Sequence, residues 1–172
     1  MKTQIINFQK NDDAIAAYDS GRCDAYTAGV GALAGQRIKL KAPNDHLIMS
    51  ELISKDPQGP VTRYGDERFQ AVVRWVLNGM IAAEELGVTS ANVDEMKAKS
   101  QNAEVRRLLG AEGGFGAMLG LSNDWMYLAI KQVGNYGESF ERTVGQGSPL
   151  KIQRGVNQLW NKGGLLFTPS FQ

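Results

Sequence analysis

Gly21-Arg22-Cys23-Asp24-Ala25-Tyr26-Thr27-Ala28-Gly29 decides the fold class of this chain. Gly21 suits the position just past a helix, where glycine takes up a left-handed backbone without steric cost. Cys23 to Thr27 then reads as a buried strand, and Thr27 to Gly29 as its carboxyl end. Upstream, Thr3 to Phe8 is a second β-prone run, carrying Ile5, Ile6 and Phe8. Between the two, Asn11 or Asp12 can cap a helix on which Ala14, Ile15 and Tyr18 share one face. A strand–helix–strand unit implies parallel strands. In open α/β sheets, ligands bind outside the carboxyl ends of strands. Thr27 and Gly29 are therefore the candidate ligand-binding positions, and the segment offers small residues and no charge there.

Working outward, a helix is expected over Gly31 to Leu40, with Leu33, Arg37 and Leu40 in register, until Pro43-Asn44-Asp45 breaks it. His46 to Met49 reads as a third strand, Asp56 to Pro60 as a loop, and Val61 to Tyr64 as a marginal fourth strand. The strongest periodicity follows. Phe69, Val72, Val73, Val76, Leu77 and Met80 keep helical spacing, with Asp66 placed to start the helix and Gly87 to stop it. Asn92 to Glu95 has capping-box spacing for a short helix. Asn102 to Leu109 reads as another, closed by Gly110. One long helix is expected over Asn123 to Thr143. Ser148-Pro149 has the form of an N-cap with proline at the first helical position, ahead of Val156, Leu159 and Trp160. Gly163-Gly164 ends that helix before the apolar run Leu165-Leu166-Phe167. The expectation is an α/β protein. A short, mostly parallel sheet lies in residues 1–64 and a helix-rich region in 65–172, together making one domain over 1–172.

Composition narrows the function. The chain has 172 residues, 42% apolar and 22% charged, enough for a real core. A net charge of +1 lacks the basic excess that nucleic-acid binding needs. No apolar run approaches the roughly 20 residues that cross a bilayer, so no membrane insertion is expected. The N-terminal run Met1 to Phe8 has neither the long apolar core nor the cleavage site of a signal peptide, and as written the chain reads as cytoplasmic.

The residues that carry chemistry are sparse. Cys23 is the only cysteine; it reads as a buried core residue, with a reactive thiol as the alternative. His46 is the only histidine, so neither a histidine metal cluster nor a triad can form. Glu84 and Glu85 are neighbours on a helix and so face different directions, which suits a solvated helix end better than paired catalytic carboxylates. The glycine-rich run 110–116 follows a helix, whereas a phosphate-cradling loop follows a strand. Arg37, Lys39 and Lys41 read as a solvated face. Trp75, Trp125 and Trp160 read as core or interface. No enzyme, cofactor or metal is expected.

Longer stretches carry a resemblance. Gly21 to Asp24, Ile53 to Pro57, Ala82 to Met96, Arg106 to Gly110 and Lys131 to Glu138 are similar to the general L-amino-acid-binding proteins of bacterial ABC transporters. These are periplasmic proteins of the type II periplasmic-binding fold, and the likeness runs to Gly163-Gly164-Leu165. It implies a transport-related, non-catalytic binding protein. It also implies that this chain corresponds to the C-terminal half of a two-lobed molecule, starting at the second strand of the second lobe.

Two departures follow from the resemblance. Family members carry an aspartate for the ligand ammonium where this chain has Gly29, followed by Val30 and Gly31. The strand that lies between Thr3–Phe8 and Cys23–Thr27 in the family, and the opposing lobe, are not in this span. The expectation is a binding or interaction module with amino-acid binding lost or weakened. The alternative is a functional receptor component working with a separately supplied lobe. Unpaired strand edges and uncovered helix stripes imply self-association as a homodimer, in one form with exchanged segments.

Overall fold

Asp66 starts the longest helix by accepting a hydrogen bond from the Phe69 N–H at 2.9 Å, which satisfies one of the four donors a helix leaves open. This and all other features belong to a computed structural model that describes residues 3–54 and 56–171. Met1 and Lys2 of the N-terminal run and Lys55 of the Ile53–Pro57 match lie outside the described residues. Eight α-helices occur among the described residues: α1 (Asn11–Asp19), α2 (Val30–Arg37), α3 (Glu67–Glu85), α4 (Val93–Lys99), α5 (Ala103–Leu108), α6 (Phe115–Leu119), α7 (Trp125–Val133) and α8 (Tyr136–Thr143). They belong to two units, Met1–Pro57 with Pro149–Ile152, and Gln58–Ser148 with Gln153–Gln172.

The second unit is a helical assembly with its own core. α3 packs on α7 and α8, and α4 packs on α5 and α7. Leu108, Leu109, Met126 and Ile130 are fully buried between them. Each contributes about 1.5–3 kcal/mol by leaving water. The apolar stripe of α3 is thus largely covered within the unit, with Phe69 at its start left exposed.

The single helix expected over Asn123 to Thr143 is two. Gly134 (φ +82°, ψ −178°) takes a conformation that only glycine adopts readily, and ends α7. Asn135 then opens α8 through a reciprocal capping box with Glu138. The capping box expected at Asn92 is replaced by a local clasp. Asn92 accepts from the Thr89 N–H at 2.7 Å and donates to the Gly87 carbonyl at 2.9 Å.

The helix expected after Ser148-Pro149 is absent. Gln153–Gln172 instead holds two single-turn 3₁₀ helices, Gly155–Asn157 and Trp160–Lys162, and one isolated parallel bridge between Leu159 and Leu166. Side-chain anchors described below hold this segment, so the local helix signal is overridden.

In the first unit, Gly21 closes α1 as expected, with φ +76°. The Ala17 carbonyl collects the Ser20 hydroxyl and the Arg22 and Cys23 N–H groups. Lys10, not Asn11 or Asp12, occupies the cap position of α1 and makes no side-chain cap bond. Asn11 is engaged elsewhere, accepting from the Tyr26 hydroxyl. α2 stops at Arg37, short of the expected Leu40, although Leu40 is buried. No strand is formed among the described residues. Thr3–Phe8, Cys23–Thr27 and His46–Met49 run without a ladder, as does Val61–Tyr64 in the second unit. Local sequence can favour an extended backbone, but a strand exists only when a neighbour accepts its hydrogen bonds.

Candidate functional site

Thr27 and Gly29 stand at the entrance to α2. Gly29 is the cap residue (φ −60°, ψ 143°), and its carbonyl accepts the Leu33 N–H at 2.9 Å. Both residues are exposed. No side chain caps α2, and its first turn holds no acid. The first N–H groups of a helix have no partner within it and carry partial positive charge, an arrangement suited to a small anion. A β-carbon placed on Gly29 meets no atom within 4 Å, so the position has room for a larger side chain.

Tyr26 ties this approach to α1. Its ring lies 6.3 Å from that of Tyr18, and its hydroxyl donates to Asn11. Tyr18 in turn reaches the only histidine, with its hydroxyl 2.7 Å from His46 Nδ1 and the rings 5.2 Å apart. His46 thus joins the start of an extended segment to α1. A shallow open depression on the same unit is lined by Phe8, Asp13, Ala17, Ser20 and Arg22, among others, with the Arg22 guanidinium 5.9 Å from the Phe8 ring centre. Thr27 and Gly29 do not line it.

Several sequence readings change on the second unit. Glu84 and Glu85 are not a solvated helix end. Arg154 donates to both Glu84 oxygens at 3.0 and 3.1 Å, with the Arg154 side chain 9% and the Glu84 side chain 11% exposed. The same guanidinium lies 5.3 Å from the Tyr136 ring centre and 5.2 Å from that of Phe140, and donates to the Asn157 carbonyl. Glu85 accepts from Trp160 Nε1 at 2.8 Å. Adjacent carboxylates facing different ways thus clasp two points of the C-terminal segment. Glu spacing alone held no signal for this, since the partners are 70 and 75 residues away.

A second polar cluster joins α4 to α7. Tyr127 donates to Asp94 at 2.6 Å, and Lys131 reaches Asp94 at 2.9 Å. These hydrogen bonds, Tyr127 first and then Lys131, hold the Asp94 carboxyl below the usual aspartate range. Lys131 is raised in return, by Tyr127 and then Asp94. Glu138 accepts from the Ser90 hydroxyl at 2.6 Å and from the Asn135 N–H at 2.8 Å. Burial works against its charge. The Ser90 and Asn135 hydrogen bonds and the Arg142 charge outweigh that and hold its carboxyl below the usual glutamate range.

Cys23 is half-buried and unbridged rather than a core residue. The glycine-rich run follows α5 and enters α6, where Gly116 packs against the Ser122 backbone, and among the described residues no strand precedes it. Trp125 is buried, Trp75 stacks edge-on to Phe171 at 5.5 Å, and Trp160 is exposed. Among the described residues, no three acidic, histidine or cysteine side chains group as a metal site, and no helix is long and apolar enough to cross a membrane.

No protein-family model matches the chain. Individual proteins do. It is 52% identical over 166 residues to the general L-amino acid-binding periplasmic protein AapJ of Rhizobium johnstonii, covering 95% of this chain and 48% of that one. It is 47% identical over 169 residues to the putative amino-acid ABC transporter-binding protein YhdW of Escherichia coli, covering 98% and 50%. The solved periplasmic binding protein of a Brucella ovis ABC transporter, with glutathione bound, matches at 54% identity and a TM-score of 0.85, covering 96% of this chain and 52% of that chain. The chain is homologous to the amino-acid-binding proteins of ABC transporters. It spans about half the length of the curated relatives it matches. The backbone matches about half of a periplasmic binding protein, a type II α/β fold, although the short parallel sheet expected in residues 1–64 does not form among the described residues.

Proposed function

We propose that this chain is a non-catalytic binding module of amino-acid transport, and that by itself it holds amino acids weakly. The observation that carries this reading is the exposed, uncharged Thr27–Gly29 entrance to α2. The backbone donors of α2 suit a ligand carboxylate, but no side chain at Thr27, Ala28 or Gly29 can pair with an α-ammonium. Lacking a desolvated charge partner costs about 2–5 kcal/mol, roughly 30-fold or more in affinity. The relatives support the ligand class. One is named for general L-amino acids, and the Brucella protein holds glutathione, a peptide with a free α-amino-acid end. Their periplasmic names support a role on that side of the membrane.

A second reading is favoured by the extended segments that form no ladder. In it, the chain is a receptor component that binds once the other lobe is supplied, and the short parallel sheet forms at that point. Self-association as a homodimer is the competing way to cover the same segments. Isothermal titration of the chain with the common L-amino acids tests the first reading. Heats that fit only millimolar or weaker binding agree with it, and micromolar binding by the chain alone overturns it.

A further inference from the structure

Backbone hydrogen bonds hold the chain up to Cys23, whose N–H donates to the Ala17 carbonyl at 3.2 Å. They resume where the Leu33 N–H reaches the Gly29 carbonyl at 2.9 Å. Among the described residues, the backbone of residues 24–28 makes none. The entrance to α2 lies at the far end of that gap. A stretch without a ladder keeps most of its backbone freedom unless side chains restrain it. Tyr26 supplies that restraint. It is half-buried, while Asp24, Ala25, Thr27 and Ala28 around it are exposed. Its hydroxyl donates to Asn11 Oδ1, and its ring lies 6.3 Å from that of Tyr18. Asn11 opens α1, and Tyr18 follows it by two helical turns on the same face. Tyr18 is itself held by His46, at 2.7 Å from its hydroxyl. Tyr26 thus meets one face of α1 at two points, and two points fix a direction as well as a place.

We propose that Tyr26 is the positioning residue of the ligand entrance. It sets where Thr27 and Gly29 lie and where the first N–H groups of α2 are aimed, and it acts only through them. This rests on the reading of that entrance as the place where an amino acid's carboxylate is held. A donor set that is already in place spares the ligand the cost of ordering the loop, so the Tyr26 hydroxyl contributes to affinity without touching the ligand. The hydroxyl matters more than the ring, because a hydrogen bond is directional whereas a tilted ring contact tolerates sliding.

Tyr26→Phe keeps the ring and removes the bond to Asn11. Amide exchange in the full chain, followed residue by residue by NMR, is expected to quicken at Leu33 about fivefold, the weight of one ordinary hydrogen bond. The Ser20 N–H, which donates to the Ala16 carbonyl at 3.1 Å at the end of α1, is expected to keep its wild-type rate. Asn11→Ala should match Tyr26→Phe, Asn11→Asp should keep the wild-type rate because it keeps the acceptor, and the double variant Y26F/N11A should add nothing further. Titration with L-glutamate to about 50 mM is expected to move the Val30 and Gly31 amides with a millimolar dissociation constant, about fivefold weaker in Tyr26→Phe. Equal exchange at Leu33 in the two proteins overturns the proposal, as does Ser20 quickening along with Leu33, which marks general loosening. An unchanged dissociation constant beside a faster Leu33 overturns it too. Faster exchange at Leu33 with no ligand shift at Val30 or Gly31 in either protein leaves the placing of the entrance by Tyr26 standing and counts against the amino-acid reading.

Discussion

Replacing Arg154 with alanine is expected to destabilise the helical unit severely. The guanidinium makes two bonds to Glu84 and lies over two aromatic rings, with both partners about nine-tenths buried. An exposed ion pair is worth about 0–1 kcal/mol. Removing one member of a buried pair costs about 3–5 kcal/mol, because the other charge stays buried without a partner. For a chain of this length that is a fall in melting temperature of about 10 °C. Trp75, Trp125 and Trp160 all lie in the helical unit, so tryptophan fluorescence in a urea titration reports that unit directly. Glu84→Gln should cost less than Arg154→Ala, and the double-mutant cycle should give a coupling of about 2 kcal/mol or more. The apolar pair E84L/R154M should recover most of the loss, since a buried ion pair competes poorly with good apolar packing. A cost of about 0.5 kcal/mol or less for Arg154→Ala, with no coupling, would show that the pair behaves as a surface contact and would refute the clasp.

Other consequences are equally open to measurement. Gly134→Ala places a β-carbon 2.8 Å from that of Glu138 in a glycine-only backbone region, and should cost about 1–3 kcal/mol by urea unfolding. Asn135 is buried, caps α8 and donates to the Val88 carbonyl at 2.8 Å. Asn135→Ala should cost about 2–3 kcal/mol, and Asn135→Asp at least as much, because it keeps the cap acceptor but sets a buried carboxylate oxygen against the Val88 carbonyl. The carboxyl of Glu138 titrates lower in the folded chain than in the unfolded one. Its contribution is therefore complete above the unfolded value and is lost as pH falls through the folded one, so the wild type should lose more stability than Glu138→Gln between about pH 5 and 3. Gly29→Asp has room for its side chain and gains an N-cap carboxylate on α2, so thermal melts should show stability unchanged or raised by a few tenths of a kcal/mol.

The helical unit was legible where the signals are local. Asp66, the apolar spacing after it and Gly87 bracket α3, and Asn102 marks α5 by accepting from the Glu104 and Val105 N–H groups. The break between α7 and α8 had its signals too, in Gly134-Asn135 with Glu138 three residues on. They were hidden because the apolar stripe from Trp125 to Phe140 continues across the break. Pairing between distant residues left no local trace, as with Glu84 and Arg154 or Asp94 and Lys131. The extended segments are the clearest limit. His46–Met49 reads as a strand from its apolar run, yet no ladder forms there among the described residues, because a ladder depends on a neighbour that local sequence does not specify. At the candidate site, Gly29 lies at the cap of α2, whereas the strand expected before it does not form among the described residues. The clamp of Tyr26 on Asn11 and Tyr18 was not legible, because it crosses from that segment to α1.

We propose that the entrance to α2, with no charge to meet an α-ammonium, leaves the chain alone a weak binder of amino acids. Titration calorimetry of the 172-residue chain with L-glutamate, L-glutamine and L-alanine tests it most directly. No saturable heat is expected below a dissociation constant of about 1 mM, a binding free energy no better than about −4 kcal/mol. Saturable binding at about 1 μM to any of the three would contradict it.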